Sequence, residues 1–162
     1  MSNLILGVGE FGASKSPADI VKTFALGSCI AVVLMCPKTR TVGMVHVALP
    51  ESKINPDKVK TRPGYFADTG IPALIKQMAG MGCDPKGRGF IVKLAGGAKI
   101  MDPNNTFNIG KRNALAVKKT LWKYSLGPVA EDLGSTYSRT IAVSISTGEI
   151  TLSSPGRSDW KL

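Results

Sequence analysis

The apolar residues of the chain follow two spacings, and the shorter one predicts a set of β-strands. The strand-like segments are rich in β-branched residues and are bounded by glycine, proline or polar turns. They cover residues 4–9, 20–26, 29–36, 42–49, 90–100, 128–134, 139–146 and 149–153. Ile141, Val143 and Ile145 alternate with small residues, as expected for a sheet covered on one face. The segments 29–36 and 42–49 are expected to pair as a β-hairpin across the polar turn between them.

The longer spacing predicts two helices. Residues 68–82 carry apolar positions at helical intervals, with Asp68 as a candidate N-cap and Gly82 near the end. Those apolar positions are Ile71, Leu74, Ile75 and Met78. Residues 110–127 carry a second apolar stripe opposite Lys118 and Lys119. The members of that stripe are Ala114, Val117, Leu121 and Tyr124.

The remaining segments are polar and turn-rich. Residues 10–19 are expected to form a turn between two strands, and residues 50–64, with three prolines, an exposed and mobile loop. Two main helices packed against a mostly antiparallel sheet predict an α+β fold, a layered α/β sandwich. With no repeat or linker, and 162 residues in all, we expect a single domain over residues 1–162.

Composition narrows the class of protein. Hydrophobic residues make up 43% and charged residues 20%, which favours a globular chain over a disordered one. The longest apolar run, 29–36, is too short to cross a bilayer, and the N-terminal residues lack the features of a signal peptide. We therefore expect a cytoplasmic protein without membrane insertion. Three scattered cysteines and one histidine favour free thiols and predict neither a metal site nor a bound cofactor.

The net charge of +10 is concentrated in one segment. No acidic residue lies between Pro103 and Ala130, whereas this segment holds five cations. They are Lys111, Arg112, Lys118, Lys119 and Lys123. The segment is either a solvated lysine-rich helix or a docking face for an acidic partner. Nucleic acid is the least favoured partner, because no nucleic-acid-binding motif accompanies the charge.

The chemistry of the chain centres on Cys29 and His46. An imidazole can take the proton of a thiol and leave a nucleophilic thiolate. If opposed residue numbers in the hairpin sum to 77, Cys29 lies opposite Ala48 and His46 opposite Ala31, which makes Cys29 and His46 diagonal neighbours on one face. An even sum places them on opposite faces unless a bulge intervenes. The sequence leaves this register open.

Three neighbouring residues suit the same site. Gly27 would allow a tight turn into the strand, and amides at Gly27, Ser28 and the cysteine itself could stabilise an oxyanion. Thr23 could hold the imidazole in one tautomer. The alternative is structural: an isolated cysteine is often a packed small hydrophobe, and an isolated histidine is often a hydrogen-bonded core residue. Cys36 and Cys83 show no catalytic setting and are interpreted as a core residue and an incidental thiol.

Six segments, in order, resemble the CheD family of chemoreceptor glutamine deamidases. They are "GVGEF", "TFALGSCIAVVLMCPKTRTVGMVHVALP", "RPGYFADTGIPALIKQM", "KLAGGAKIM", "NIGKRN" and "VAEDLGSTYSRTIAVSISTGEI". Together they span nearly the whole chain. The chain departs from the family pattern at Ser135, where a second glycine is expected.

This resemblance implies a cysteine hydrolase that converts receptor glutamines to glutamates through a thioester, releasing ammonia. The family nucleophile corresponds to Cys29, its base to His46 and its orienting threonine to Thr23. The resemblance implies no cofactor or metal. It implies two partners, the methyl-accepting chemotaxis receptors as substrates and the CheC phosphatase as a regulator, and hence a cytoplasmic location at receptor arrays.

Three other functions stay open at this point. The chain could be a non-catalytic or weakly catalytic module that binds CheC within the adaptation system. It could instead be another cysteine enzyme, such as a thiol peptidase or a transglutaminase. A nucleic-acid-binding protein, indicated by charge alone, would show a steeply salt-dependent affinity for DNA.

Overall fold

The computed structural model describes residues 3–99 and 108–162 and arranges them as two stacked β-sheets with two main helices on one outer face. The strands are β1 (Asn3–Leu6), β2 (Phe11–Ser14), β3 (Ile20–Leu26), β4 (Ile30–Cys36), β5 (Thr41–Val47), β6 (Ile91–Gly96), β7 (Pro128–Leu133), β8 (Arg139–Ser144), β9 (Ile150–Ser153) and β10 (Trp160–Lys161). The helices are α1 (Pro56–Thr61), α2 (Ala67–Ala79) and α3 (Ile109–Trp122). The α+β layered fold predicted from the sequence is confirmed.

The strands divide into two five-stranded sheets. The first sheet has the order β1-β3-β8-β9-β10, and the second has the order β2-β5-β4-β6-β7. The pairs β1–β3 and β6–β7 are parallel, and the other pairs are antiparallel. The sequence predicted one sheet, and the structure shows that a second sheet replaces solvent on the face away from the helices.

Strand β4 explains why the second sheet is buried on both sides. Ile30, Val32 and Leu34 point into the layer beneath the helices. Ala31 and Val33, which alternate with them, point into the layer between the two sheets. A strand that is apolar on both faces must be covered on both faces, and α2 with α3 and the first sheet provide these covers.

The helical stripes predicted from the sequence are buried as expected. The four apolar positions of α2, and Val117 and Leu121 of α3, lie in the core between the helices and the second sheet. Helix α3 ends at Trp122, not at residue 127, because the chain turns at Ser125 with a left-handed φ of 58°. Asp68 does not cap α2, whose N-cap is Phe66. No described helix is long and apolar enough to cross a membrane.

Several predicted boundaries move. Strand β1 ends at Leu6, and the segment 10–19, predicted as a turn, contains strand β2. The predicted loop 50–64 contains α1 and two short 3-10 turns, since Asn55 caps α1 through its side chain and Pro56 begins it. Residues 100–107, which include the end of the predicted strand 90–100 and part of the acid-free segment, lie outside the described residues.

Candidate active site

The hairpin register places Cys29 and His46 on the same face of the second sheet. Strands β4 and β5 pair Ile30 with Val47 and Ala31 with His46, so that opposed numbers sum to 77. Cys29 immediately precedes β4 and is therefore the diagonal neighbour of His46, a position from which the two side chains can approach each other. Its half-buried side chain packs against the layer between the sheets. Of the two registers left open by the sequence, the structure has the one that brings the thiol and the imidazole together.

Thr23 approaches the same place from the other sheet, and a β-bulge aims it there. Strand β3 pairs Thr23 with Ile141 but Leu26 with Arg139, so three steps along β3 match two along β8. The extra residue lets Thr23 and Leu26 both point inward, and both are fully buried. Ala25 takes a left-handed φ of 54° in the bulge.

The sequence predicted a tight turn at Gly27, and the chain does bend there, but the bulge at Ala25 was not predicted. Gly27 does not have a positive φ, whereas Ala25, two residues earlier, does. A left-handed alanine carries a steric cost that glycine would avoid. Nothing in the sequence around Ala25 predicts that it is the left-handed residue of a β-bulge.

The hydroxyl of Thr23 determines the tautomer of His46. Thr23 Oγ1 lies 2.7 Å from the carbonyl oxygen of Leu6 and 2.7 Å from Nδ1 of His46. A carbonyl oxygen can only accept, so the single hydroxyl proton of Thr23 is donated to Leu6. Thr23 must then accept its second hydrogen bond from Nδ1–H of His46. The other ring nitrogen, Nε2, is left as an unprotonated acceptor.

The Nε2 atom of His46 is buried and has no hydrogen-bond partner among residues 3–99 and 108–162. A buried acceptor without a partner costs stability, and such atoms are uncommon outside functional sites. It belongs to the face on which Cys29 is the diagonal neighbour. The arrangement therefore places an acceptor nitrogen and a thiol on the same face of the sheet, with no hydrogen bond between them.

Burial sets the charge state of this pair. It lowers the pKa of His46 to about 4 and raises the pKa of the Cys29 thiol, although a hydrogen bond to the backbone of Cys29 partly opposes the second effect. Both groups are thus neutral near pH 7. The resting site holds a thiol and an imidazole, not a thiolate and an imidazolium.

The loop before Cys29 turns its carbonyls inward. The carbonyl of Gly27 accepts from the amide of Ala98, and that of Cys29 accepts from the amide of Gly97, both at 2.9 Å. Because a trans peptide directs its N–H opposite to its C=O, the amides of Ser28 and the residue after Cys29 point away from these contacts. No described residue accepts a backbone–backbone hydrogen bond from the amides of Gly27, Ser28 or Cys29.

Asn113 of α3 completes the support of this loop. Its Nδ2 donates to the carbonyl of Ser28 and to the carbonyl of Ala48, both at 3.0 Å. One side chain therefore ties the segment before the cysteine to the segment after the histidine. Its Oδ1 is buried, and no described residue donates a hydrogen bond to it.

Sequence reasoning missed Asn113, although one signal was present. Asn113 lies four residues before Val117 and eight before Leu121, on the apolar stripe of α3. A fully buried amide in an apolar stripe requires a polar partner, and such a position is a candidate for structural or catalytic support.

The other two cysteines lie away from the site. Cys36 is at the far end of β4, and Cys83, also buried, lies 3.4 Å from the hydroxyl of Thr39. Within residues 3–99 and 108–162, no group of three or more His, Cys, Asp or Glu side chains could hold a metal ion.

Comparison with known proteins relates the whole chain to one family. A family model described as CheD chemotactic sensory transduction matches residues 48–154. A "Probable chemoreceptor glutamine deamidase CheD" of Syntrophotalea carbinolica is 57% identical over 100% of both chains. A "Chemoreceptor glutamine deamidase CheD" of Thermotoga maritima is 38% identical over 90% of this chain and 88% of the relative.

The matches differ in whether they cover the three candidate site residues. The family model begins after His46, so Thr23, Cys29 and His46 lie outside the matched segment. The relative from Syntrophotalea carbinolica spans all three positions. A "Probable chemoreceptor glutamine deamidase CheD 1" of Syntrophus aciditrophicus is 43% identical over 96% of each chain.

Proposed function

The chain belongs to the CheD family, and from this membership and the geometry of the site we propose that it deamidates glutamine side chains of chemotaxis receptors. Cys29 is the nucleophile, His46 the general base and acid, and Thr23 the residue that orients His46. The observation that carries the proposal is the double hydrogen bond of Thr23, which leaves Nε2 of His46 unprotonated on the face of Cys29.

The first half of the reaction forms a thioester. As the Cys29 sulfur attacks the carboxamide carbon, the thiol proton moves to Nε2 of His46, and the carbonyl π electrons move onto oxygen. The backbone amides of Gly27, Ser28 and Cys29 are the candidate donors to this oxyanion. The protonated imidazole then gives the Nε2 proton to the departing nitrogen, the C–N bond breaks, and ammonia leaves.

The second half hydrolyses the thioester. Nε2 takes a proton from water as the hydroxyl oxygen attacks the thioester carbon, and the same amides hold the second oxyanion. Collapse of this intermediate breaks the C–S bond, and Nε2 returns the proton to sulfur. The net change is glutamine plus water to glutamic acid plus ammonia, with the enzyme regenerated.

Neutral resting groups suit this sequence of steps. Transfer of the thiol proton during attack avoids forming a buried ion pair before the substrate is bound. The imidazolium formed in the transition state keeps its Nδ1–H bond to Thr23, which in turn is held by Leu6. No step requires a metal or an organic cofactor.

Partners and location follow from family membership. The substrates are methyl-accepting chemotaxis receptors, and the protein acts in the cytoplasm at receptor arrays. The CheC phosphatase is the second partner, which regulates the deamidase by binding it. These assignments are part of the proposal and derive from the resemblance described above.

The deciding experiment is mass spectrometry of a receptor cytoplasmic fragment after incubation with the protein. Wild type should convert defined glutamines to glutamates, and Cys29→Ala should convert none. Cys36→Ala is the control variant and should retain wild-type activity per amount of folded protein. No conversion by wild type on a fragment from the same organism would overturn the enzyme and favour the CheC-binding module. Cleaved or cross-linked fragments would indicate a peptidase or a transglutaminase.

A further inference from the structure

A groove runs along α3 beside the candidate active site, and we call it the α3 groove. It encloses a cavity of about 440 Å³. Arg112, Lys119 and Lys123 line it from α3, and Pro50, Glu51 and Lys53 line the opposite wall. The groove therefore separates a basic helix face from the segment that follows β5.

The cations of the basic wall make no direct ion pair in the described structure, although they act on Glu51 across the groove. The pKa of the Glu51 carboxyl is lowered by Lys53 first, and then by Lys119 and Arg112. Arg112, Lys119 and Lys123 form no ion pair among the described residues. Glu51 lies 3.0 Å from Lys53, and the carboxylate of Asp68 accepts hydrogen bonds from the amide and the hydroxyl of Ser52. The carboxylates of the opposite wall thus have their direct contacts with Lys53 and Ser52, and the α3 cations hold no direct ion pair that a ligand would have to break.

An exposed apolar side chain lies within this basic wall. Leu115, which also lines the groove, is 61% exposed and stands between Arg112 and Lys119 in helical spacing. Trp122, one heptad further on, is 80% exposed. A large exposed apolar residue surrounded by charge is typical of a protein-binding surface.

One end of the α3 groove lies next to the residue that supports the loop before Cys29. Asn113, next to Arg112, holds the carbonyls of Ser28 and Ala48, and Pro50 follows two residues after Ala48. From Arg112 to Lys123 the helix axis extends about 16 Å. A partner helix of about three turns would therefore match the length of the α3 groove, with one end toward the helix turn that holds Asn113.

We propose that the α3 groove docks an acidic, amphipathic helix of the substrate receptor next to the reactive glutamine. The proposal rests on the deamidase function proposed above. Charge complementarity selects an acidic ligand, and Leu115 supplies an apolar contact for one face of a helix. Phosphates offer no apolar surface to Leu115, so an amphipathic protein helix fits the groove better than a nucleic acid or a layer of lipid headgroups.

The test uses two matched double variants of the full chain. Lys119→Glu/Lys123→Glu reverses two groove cations, and Lys38→Glu/Lys86→Glu makes the same charge change at exposed loops beyond the far ends of β4 and β6. On a receptor cytoplasmic fragment, the groove variant should raise KM roughly tenfold and leave kcat unchanged. The control variant should match wild type, and a short peptide holding only the reactive glutamine should not distinguish the three proteins.

Direct binding separates this inference from the proposed function. In a Cys29→Ala background, the groove variant should bind the receptor fragment roughly tenfold more weakly than the control variant, whether or not the protein deamidates it. Equal affinities, or equal losses in both variants, would overturn the α3 groove as the docking surface. Unchanged fragment binding with a selective loss of binding to phosphatidylserine vesicles would assign the surface to lipid instead.

Discussion

Thr23 and His46 belong to different sheets, and a 2.7 Å hydrogen bond between Oγ1 of Thr23 and Nδ1 of His46 joins them across the layer between the sheets. The candidate base is therefore oriented by the stacking of the two sheets and not by either sheet alone. This relationship makes the hydroxyl of Thr23 the most informative position to alter.

Replacing Thr23 with valine should lower kcat by about 10- to 100-fold, because Nδ1–H of His46 loses its acceptor and the correct tautomer loses its support. Thr23→Ser keeps the hydroxyl and should retain most of the activity. The kinetics of glutamine deamidation should be measured together with the nitrogen NMR signals of His46. An active Thr23→Val protein with an unchanged tautomer would contradict the role assigned to Thr23.

Alkylation of Cys29 by iodoacetamide should be slow at pH 7 and should rise with pH beyond pH 9. Burial raises the pKa of this thiol, so little thiolate exists at neutral pH. Mass spectrometry of the peptide containing Cys29 separates its reaction from that of the other cysteines. A rate that is already maximal near pH 6 would indicate a preformed thiolate–imidazolium pair and would contradict the neutral resting state.

The stability of the protein should fall as the pH is lowered through the range set by His46. Its pKa is about 6.5 in the unfolded chain and about 4 in the fold, so between these values the unfolded state binds more protons. The contribution of His46 is thus fully present above pH 6.5 and is lost toward pH 4. Between pH 7 and pH 5 it amounts to about 2 kcal/mol of unfolding free energy.

Urea unfolding at the two pH values measures this effect. The His46→Gln variant should show a smaller loss of stability on acidification than wild type, since the other titrating groups are unchanged. Identical losses in the two proteins would show that His46 is not held neutral by burial.

Asn113→Ala should lower kcat more than it raises KM, because the segments around Ser28 and Ala48 lose their common donor. Thr120→Ala is the matched control, since its hydroxyl on the same helix donates to the carbonyl of Ala116 and makes no hydrogen bond to the described residues of the candidate site. Both variants should lose about 1–2 kcal/mol of stability. Only Asn113→Ala should change the alkylation rate of Cys29, and equal rates in both variants would reduce Asn113 to a structural residue.

Ser135→Gly should stabilise the protein by up to about 1 kcal/mol, because Ser135 has a left-handed φ of 62°. The sequence identified this position as one where the family pattern favours glycine, and the backbone supplies the physical reason. Thermal unfolding should show a rise of about 2–4 °C in Tm. A lower Tm would mean that the added freedom of the unfolded chain outweighs the relief of strain.

The parts of the fold that the sequence predicted depend on local periodicity. The buried stripes of α2 and α3 and the hairpin of β4 and β5 follow from spacings within single segments. The division into two sheets does not, because it depends on which strands pair after the chain has collapsed. Strand β2 was hidden for a related reason, since its four residues include glycine, alanine and serine.

In the candidate site, too, some features follow from the local sequence and others depend on the tertiary fold. Cys29, His46 and Thr23 were proposed as site residues from residue type and from resemblance, and the observed register is one of the two that the sequence left open for Cys29 and His46. The carbonyl of Leu6, which decides the tautomer, is a backbone group and leaves no mark in the sequence. Asn113 reaches the site from a helix more than sixty residues away in the chain, and only the tertiary fold reveals that contact.

The bulge in β3 has a consequence for how this chain can vary in length. Because Ala25 shifts the inward-facing residues from odd to even positions, removing one residue between Thr23 and Leu26 would turn one of these two side chains toward solvent. Substitutions at the exposed positions 24 and 25 leave that count intact, whereas deletions and insertions do not. The number of residues between Thr23 and Cys29 is therefore constrained more strongly than their identity. Loop grafts or circular permutations of this chain should leave residues 23–29 uncut.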